Sequence, residues 1–335
     1  MSEKIGVAVV GLGVGVQHAI AYMNTGRCEL RYLWDLDSER IKNVLSELRQ
    51  GRPARSFQEI LDDPSASIIS IASFDDAHYD QALAALRAHR HVFVEKPLCR
   101  SSEELRSIRK TWLSTGGSHL SSNLVLRAAP LYRWLKDAIA QGELGDIYAF
   151  DGEYLYGRLE KITRGWRSNV SDYSVLLGGG IHLVDLMLDL TGQRPVRATA
   201  AGNSVCTTGT TFKYNDYVTV CFEFASGLIG RVTANFGCVH PHQHVVRVFG
   251  TKGTFLYDDQ GSRLYQSRNP EVLPQKMELS PLPGSKGDLI PMFVDRIIRQ
   301  QDNRDEAQHE FDVVAVCVAG DRSLALSKTV DIQYE

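Results

Sequence analysis

The sequence predicts an α/β protein: an N-terminal doubly wound parallel sheet, then an α+β domain with an open-faced, mostly antiparallel sheet. Three observations carry this reading. The apolar run Ile5–Val10 leads directly into Gly11-Leu12-Gly13-Val14-Gly15, as a strand buried on both faces does when it turns tightly into a helix. Short apolar runs then alternate with stretches of helical spacing as far as residue 123, the pattern of repeated β-α-β units. Beyond Arg127 the pattern changes, and Val218–Phe224 alternates apolar and polar residues, as a half-buried antiparallel strand requires. The expected division is a dinucleotide-binding domain over 1–123 and a substrate-binding and oligomerisation domain over 124–335.

Each element has a local reason. Helix signals follow the glycines through Ala21, and Glu29–Trp34 is a second strand. Asp37–Arg49 places Ile41, Val44 and Leu48 at helical spacing, and Phe57–Leu61 is a short helix. Ile68–Ala72 is the next buried strand, and Asp76–His89 carries Ala82, Leu83 and Leu86 on one helical face. His91–Val94 is a strand ending at Glu95-Lys96-Pro97. Ser101-x-x-Glu104 is a capping box that opens a helix to about Ser114. His119–Asn123 is the last strand of this half. In the second half, Ala128–Gln141 is an amphipathic helix, Ile147–Tyr156 a strand, and Gly180–Leu190 a helix closed by Gly192. Ala225-Ser-Gly227 turns Val218–Phe224 into Leu228–Phe236. Val245–Gly250 and Thr254–Tyr257 continue the sheet, 268–287 reads as an irregular surface loop, and Ile290–Gln300 and Phe311–Ser327 are closing helices.

Composition excludes several classes of function. A net charge of −3 over 335 residues argues against a nucleic-acid or anionic-membrane surface. No apolar run approaches the roughly 18 residues of a membrane helix. Ile5–Val16 could pass for a signal-peptide core, but no small-residue cleavage site follows it, so the strand-and-turn reading is preferred. Six scattered cysteines without a Cys-x-x-Cys pair read as reduced thiols of a cytoplasmic protein.

The glycine turn has chemical content. Gly11 suits the tight turn and Gly13 the close approach of backbone to a pyrophosphate, and the helix that follows offers free N–H groups. Val16 stands where the usual spacing wants a third glycine, with Gly15 one residue early. Asp35 ends the second strand 22 residues past Gly13, where a carboxylate accepts both hydroxyls of the adenosine ribose. It also repels a 2′-phosphate, so NAD is expected over NADP, with Arg40 near enough to keep NADP open. Lys96, after a buried strand and before a proline, points at the crevice where ligands of such sheets bind.

Taken together, the chain resembles the glucose–fructose oxidoreductase/inositol dehydrogenase (Gfo/Idh/MocA) family. The resemblance runs over nearly the whole chain. It rests on Gly11-x-Gly13, Asp35, Ile71-Ala-Ser73 with His78, Glu95-Lys96-Pro97, Gly142-Glu-Leu-Gly145-Asp-Ile147, Gly178-Gly-Gly-Ile-His182-x-x-Asp185 and Gly250-Thr-Lys-Gly253-Thr. It implies a Rossmann domain and a C-terminal domain whose sheet mediates assembly into a homo-oligomer, a dimer or tetramer. It also implies oxidation or reduction of a carbinol carbon in a sugar, polyol or nucleotide-linked sugar. Cofactor contacts would fall on Gly11, Gly13, Val14, Gly15, Asp35, Ser73, His78, Glu95 and Lys96. Lys96 would hydrogen-bond the reacting oxygen and the nicotinamide ribose, His182 would be the general acid/base, and Lys96-Pro97 is a candidate cis peptide. Asp185 would lie on the substrate side. Two positions depart from the family. Phe74-Asp75-Asp76 replaces the usual Pro-Asn or Pro-Thr, and Gly178 replaces an aspartate that many members carry four residues before the histidine.

Hydride leaves a carbinol carbon only as its hydroxyl proton is removed, and a histidine titrates in the range this needs. His182 as the proton-exchanging group with Lys96 polarising the oxygen is the expected arrangement. The alternative is Lys96 as base with His182 as a substrate hydrogen bond. Tyr154–Arg167 is cationic and aromatic and reads as a substrate loop. Trp166 could stack on a sugar face there, and Arg164 and Arg167 could grip an anionic group. Tyr156, Arg127 and Asn123 are further substrate candidates. His240-Pro-His-Gln-His244 has the spacing of a shared strand face, but Pro241 and the lack of a nearby carboxylate weigh against a metal site. Two competing functions are an NAD-dependent glycosidase that oxidises its sugar transiently and a cofactor-binding regulator without catalysis.

Overall fold

The computed structural model describes residues 4–335 and divides into two compact units. Where two continuous domains are expected, the units interleave. The first takes in the chain up to Val125, then Pro283–Val314 and Glu335; the second takes in Leu126–Leu282 and Ala315–Tyr334.

In the first unit β1 (Ile5–Val10), α1 (Gly15–Asn24), β2 (Cys28–Trp34), α2 (Ser38–Leu48), β3 (Arg52–Pro53) and α3 (Phe57–Asp62) follow in order. Then come β4 (Ile68–Ile71), α4 (His78–Arg87), β5 (His91–Val94), α5 (Ser102–Ser114) and β6 (Leu120–Ser122). Among the described residues they form a six-stranded sheet in the order β3-β2-β1-β4-β5-β6, parallel throughout. Strand order reverses between β1 and β4, the topological switch point of a doubly wound sheet. Val7–Val10, Ile68–Ile71 and Val92–Val94 are fully buried, as helices on both faces demand. The helices start where the sequence says: Asp37 accepts from the N–H groups of Glu39 and Arg40, and Ser101 accepts from that of Glu104. The later segment of this unit brings Phe293 against Phe93 and His119, with ring centroids 5.4 and 6.4 Å away.

The second unit contains α6 (Pro130–Ala140), β7 (Ile147–Leu155), α7 (Glu160–Thr163), α8 (Ile181–Thr191) and β8 (Pro195–Asn203). The strands β9 (Tyr217–Phe224), β10 (Ile229–Asn235), β11 (Gln243–Gly250), β12 (Thr254–Asp258), β13 (Gly261–Tyr265) and β14 (Gln275–Met277) follow. After α9 (Ile290–Ile298) and α10 (Arg304–Leu326), β15 (Val330–Asp331) joins the same sheet. Among the described residues the sheet has nine strands in the order β14-β13-β12-β11-β7-β10-β9-β8-β15. Its pairings are antiparallel except β7 with β10. On the inner face Phe150, Val220, Phe222, Val232, Val246 and Val248 are buried, and α8 packs there. The outer face is open, and Arg231 and Arg247 both pair with Asp151 and Glu153 across it.

The short elements β3, α7, β13 and β15 are not marked in the sequence, and three further features depart from the expectation. The stretch 268–287 contains the short strand β14. Strand β8 was not expected, because proline, glycine and alanines blur its alternation. Helix α10 begins seven residues before Phe311, since Arg304–Glu310 carries few apolar residues to mark a face.

Candidate active site

The glycine turn between β1 and α1 gives each glycine a separate reason. Gly11 has φ +85°, and a Cβ there would lie 2.4 Å from the Ala72 carbonyl oxygen, so no other residue fits. A Cβ on Gly13 would meet nothing within 4 Å, which leaves open space over the turn. Gly15 packs α1 onto the sheet, since its Cβ would come 3.0 Å from Val9. It therefore does the packing job of the third glycine despite its early position. Val14 precedes α1 without a side-chain cap, and no acidic residue occupies the first turn. The positive helix end is thus presented to an anion. Asp35 is largely buried and accepts from the Leu12 and Asp37 N–H groups at 2.6 and 2.9 Å. Arg40 reaches it at 3.3 Å. These residues fit a dinucleotide: an open cradle, an uncapped helix end and a carboxylate fixed at the end of β2.

Beyond the turn lies a buried polar network. Glu95 Oε1 receives Asn123 Nδ2 at 2.6 Å and lies 3.2 Å from His18 Nε2, while His18 Nδ1 meets Ser70 Oγ at 3.0 Å. Burial alone would raise the Glu95 carboxyl. The hydrogen bond and charge of His18, the bond from Asn123 and the charge of Lys96 outweigh it and hold the pKa down at about 2. Glu95 is therefore an anion that anchors the strand end beside Lys96. Asn123, among the substrate candidates, is fully buried in this network and also donates to the Lys286 carbonyl at 2.8 Å. His18 was not foreseen; a lone histidine inside a helix carries no sequence signal of an inward face. The Lys96–Pro97 peptide is cis. His78 is likewise fully buried, bridging the Pro97 and Ser73 carbonyls at 2.8 and 3.1 Å, so it braces two crevice loops. Ser73 Oγ donates to Gln81 at 2.7 Å.

In the second unit the chain before His182 winds as a π-helical turn, Leu176–Gly180, that runs into α8. The glycines there admit aromatic rings. A Cβ on Gly178 would lie 2.2 Å from Tyr173 Oη, and one on Gly179 would lie 2.4 Å from the Tyr154 ring. Tyr173 thus fills the space of the side chain that Gly178 lacks. His182, 6% exposed, stacks at 6.4 Å from Tyr154, and His244 stands perpendicular to it at 6.0 Å. Tyr156 packs on Tyr154 at 5.7 Å. Trp166 meets the Tyr173 ring at 6.5 Å, the Arg167 guanidinium lies 4.5 Å from the Trp166 ring centre, and Arg164 is exposed. Of the triplet 240, 242 and 244, His242 and His244 sit 5.0 Å apart beside Tyr154. His240 turns to Asp259 at 3.3 Å, because β11 begins only at Gln243. No group of metal-ligating side chains occurs among the described residues.

Two of the substrate candidates meet each other. Arg127 Nε and Nη2 donate to the Asp185 carboxylate at 2.8 and 2.6 Å, and Asp185 is fully buried. A second carboxylate, Asp321, is half-buried under the turn that leads to His182 and accepts from Ser174 Oγ at 2.9 Å. Burial pushes it up to about 7 from 3.8, against the pull of the Ser174 bond. A folded value above the unfolded one means that the native state holds the proton more tightly. The group therefore favours the fold below about pH 4, and this contribution is lost as pH rises to about 7. Asp321→Asn is expected to leave the melting temperature unchanged near pH 4 and raise it at pH 8, by up to about 4 kcal/mol of linkage. Calorimetry at both pH values checks this, and an equal shift at the two would refute it.

Comparison with known proteins gives a consistent picture. The oxidoreductase family with an NAD-binding Rossmann fold matches residues 5–118, and the GFO/IDH/MocA C-terminal domain matches residues 132–256. The chain is 22% identical over 293 residues to levoglucosan dehydrogenase of Pseudarthrobacter phenanthrenivorans, covering 76% of this chain and 74% of that one. It is 24% identical over 262 residues to myo-inositol 2-dehydrogenase of Thermotoga maritima, covering 76% and 75%. A match to 1,5-anhydro-D-fructose reductase of Ensifer adhaerens, 29% identical over 181 residues, covers 52% of this chain and 53% of that relative, about half of each. Levoglucosan dehydrogenase in complex with NADH and L-sorbose shares the fold, with a TM-score of 0.86 at 19% identity over 99% of both chains.

Proposed function

Because the chain belongs to the Gfo/Idh/MocA family of NAD-binding oxidoreductases, we propose that it moves hydride between the nicotinamide of NAD and a carbinol or carbonyl carbon of a sugar, polyol or nucleotide-linked sugar. The observation that carries the reading is Lys96: it directly follows β5 at the carboxyl end of the parallel sheet whose β1–α1 turn forms the dinucleotide cradle. Bound NAD supplies the hydride acceptor. The backbone of Gly11–Gly15 and the start of α1 bind its pyrophosphate, and Asp35 binds the adenosine ribose, which selects NAD over NADP.

Glu95 and His78 hold the loop that carries Lys96 in place. The lysine ammonium then hydrogen-bonds the substrate oxygen and stabilises negative charge as the hydroxyl proton departs. His182 takes that proton on oxidation and returns it on reduction. Tyr156, Trp166, Arg164 and Arg167 are the substrate-side contacts, with the aromatic faces for sugar C–H surfaces and the arginines for an anionic group. The relatives named for levoglucosan and myo-inositol support this substrate class. The test is NADH absorbance with purified protein, NAD⁺ and a panel of polyols, aldoses, levoglucosan and nucleotide-linked hexoses. Growth of signal with one class supports the reading; failure to bind either NAD or NADP overturns it.

Self-association through the open sheet face completes the proposal. Ile229 and the Arg231–Asp151–Glu153–Arg247 charges on that face suit a homodimer or tetramer. Sedimentation at micromolar concentration should show one of these, and a monomer would sink the idea. No helix among the described residues is long and apolar enough to cross a membrane, and six cysteines without disulfides fit a reducing cytoplasm.

A further inference from the structure

Residues 284–287 lie just ahead of α9, in a stretch that the sequence marks only as irregular loop. In the first unit they form a strap at the carboxyl end of the parallel sheet. Gln17, in the first turn of α1, accepts from the Lys286 N–H at 2.9 Å and from Ser285 Oγ at 3.4 Å. Asn123, which follows β6, donates to the Lys286 carbonyl at 2.8 Å and to Glu95 at 2.6 Å. Gly287 lets the strap press onto α1, since a Cβ there would lie 2.4 Å from Ala21 Cβ and 2.9 Å from the Gln17 carbonyl oxygen. Lys286 is therefore fixed at both of its backbone groups while its side chain stays exposed.

This placement sets a cation between two landmarks of the dinucleotide site. One is the uncapped start of α1, where a pyrophosphate binds. The other is Glu95, beside Lys96 at the end of β5. Asp35, on the adenosine side, ends β2, whereas β5 and β6 lie on the other side of β1. The strap thus flanks the nicotinamide half of the cradle. Residues 11–16 carry no charged side chain, so the turn itself offers a pyrophosphate only N–H groups. Among the described residues the Lys286 ammonium pairs with no carboxylate. Asp288, two residues on, accepts from the Ser285 N–H at 3.1 Å, and Glu95 is engaged by His18 and Asn123. The flexible four-carbon stem of a lysine lets its charge swing from the strap over the open space at Gly13.

We propose that Lys286 is a cofactor-binding residue whose ammonium pairs with the pyrophosphate of NAD on its nicotinamide side. The inference rests on the Gly11–Gly15 turn as the NAD site. It adds a charge-assisted hydrogen bond from a distant part of the chain to a cradle otherwise built of backbone.

The test is calorimetric titration of the full chain with NAD⁺, ADP-ribose and AMP, comparing wild type with Lys286→Met and Lys286→Arg. ADP-ribose keeps the pyrophosphate and lacks the nicotinamide, and AMP keeps only the adenosine-side phosphate. In Lys286→Met, NAD⁺ and ADP-ribose should each bind about tenfold more weakly, as loss of one charge-assisted hydrogen bond gives, with AMP within about twofold of wild type. Lys286→Arg keeps the charge and should restore both to within about threefold. The side chain is exposed, so neither variant disturbs a packed core. Equal losses on all three ligands would make Lys286 a general charge near the site, and a loss on NAD⁺ alone would place it at the nicotinamide. Either result, or unchanged affinities in Lys286→Met, overturns the proposal while leaving the NAD site standing. A wild type that binds neither NAD nor NADP overturns the cofactor reading and this inference together.

Discussion

Lys96→Met is expected to lower kcat/KM for NADH formation by about 10³-fold while leaving NAD binding nearly intact. The substitution keeps the length and apolar stem of the side chain and removes the ammonium. What is lost is stabilisation of charge on the substrate oxygen in the transition state, an effect that single donors supply at about 10²–10³-fold in rate. In the proposed site most of the cofactor affinity comes from the Gly11–Gly15 turn and Asp35, so loss of the Lys96 contact to NAD is expected to weaken binding only slightly. Stopped-flow NADH formation with tryptophan quenching by NAD⁺ separates the two quantities. A variant within tenfold of wild-type turnover removes Lys96 from the chemistry.

Arg127→Met carries the largest expected effect on stability. Asp185 is fully buried, and Arg127 meets both of its oxygens at 2.8 and 3.0 Å through Nε alone. Removing the guanidinium takes a charge partner from a buried carboxylate, which costs about 3–5 kcal/mol in comparable buried pairs. The double variant Arg127→Met/Asp185→Leu removes both charges and should recover most of the loss, because the penalty lies in the orphaned ion. Urea denaturation of the three proteins checks the pattern. A single variant within 1 kcal/mol of wild type would show that the pair is solvated in solution and would restore Arg127 as a substrate ligand.

The first unit was largely legible in the sequence because parallel strands are buried on both faces and write themselves as apolar runs such as Ile5–Val10 and Ile68–Ile71. The caps at Asp37 and Ser101 are equally local signals. Its polar network is legible only in part: Glu95 and Asn123 stand out as candidates, but their bonds to each other and to His18 do not. Partnership between residues 77 or 105 positions apart leaves no trace in spacing. In the second unit, strand alternation gave away β9 and β10, while β8 and the start of α10 lacked it. Tyr173 carries no signal in the sequence because it lies in irregular chain, its place set by the bare Cα of Gly178, the Arg167 bond and the rings around it.

The interleaving of the two units bears on how the chain is made. A ribosome releases residues up to Val125 long before Pro283. Until the last stretch emerges, Phe93 and His119 lack Phe293, and Asn123 lacks the Lys286 carbonyl. The nascent N-terminal unit therefore waits with an uncovered apolar patch while some 160 residues of a slower, long-range antiparallel sheet are synthesised. The support beside Lys96 is complete only once residues 283–314 have emerged. A holdase bound to that patch, or a pause before residue 283, would act on this interval before it acted on any other step of folding.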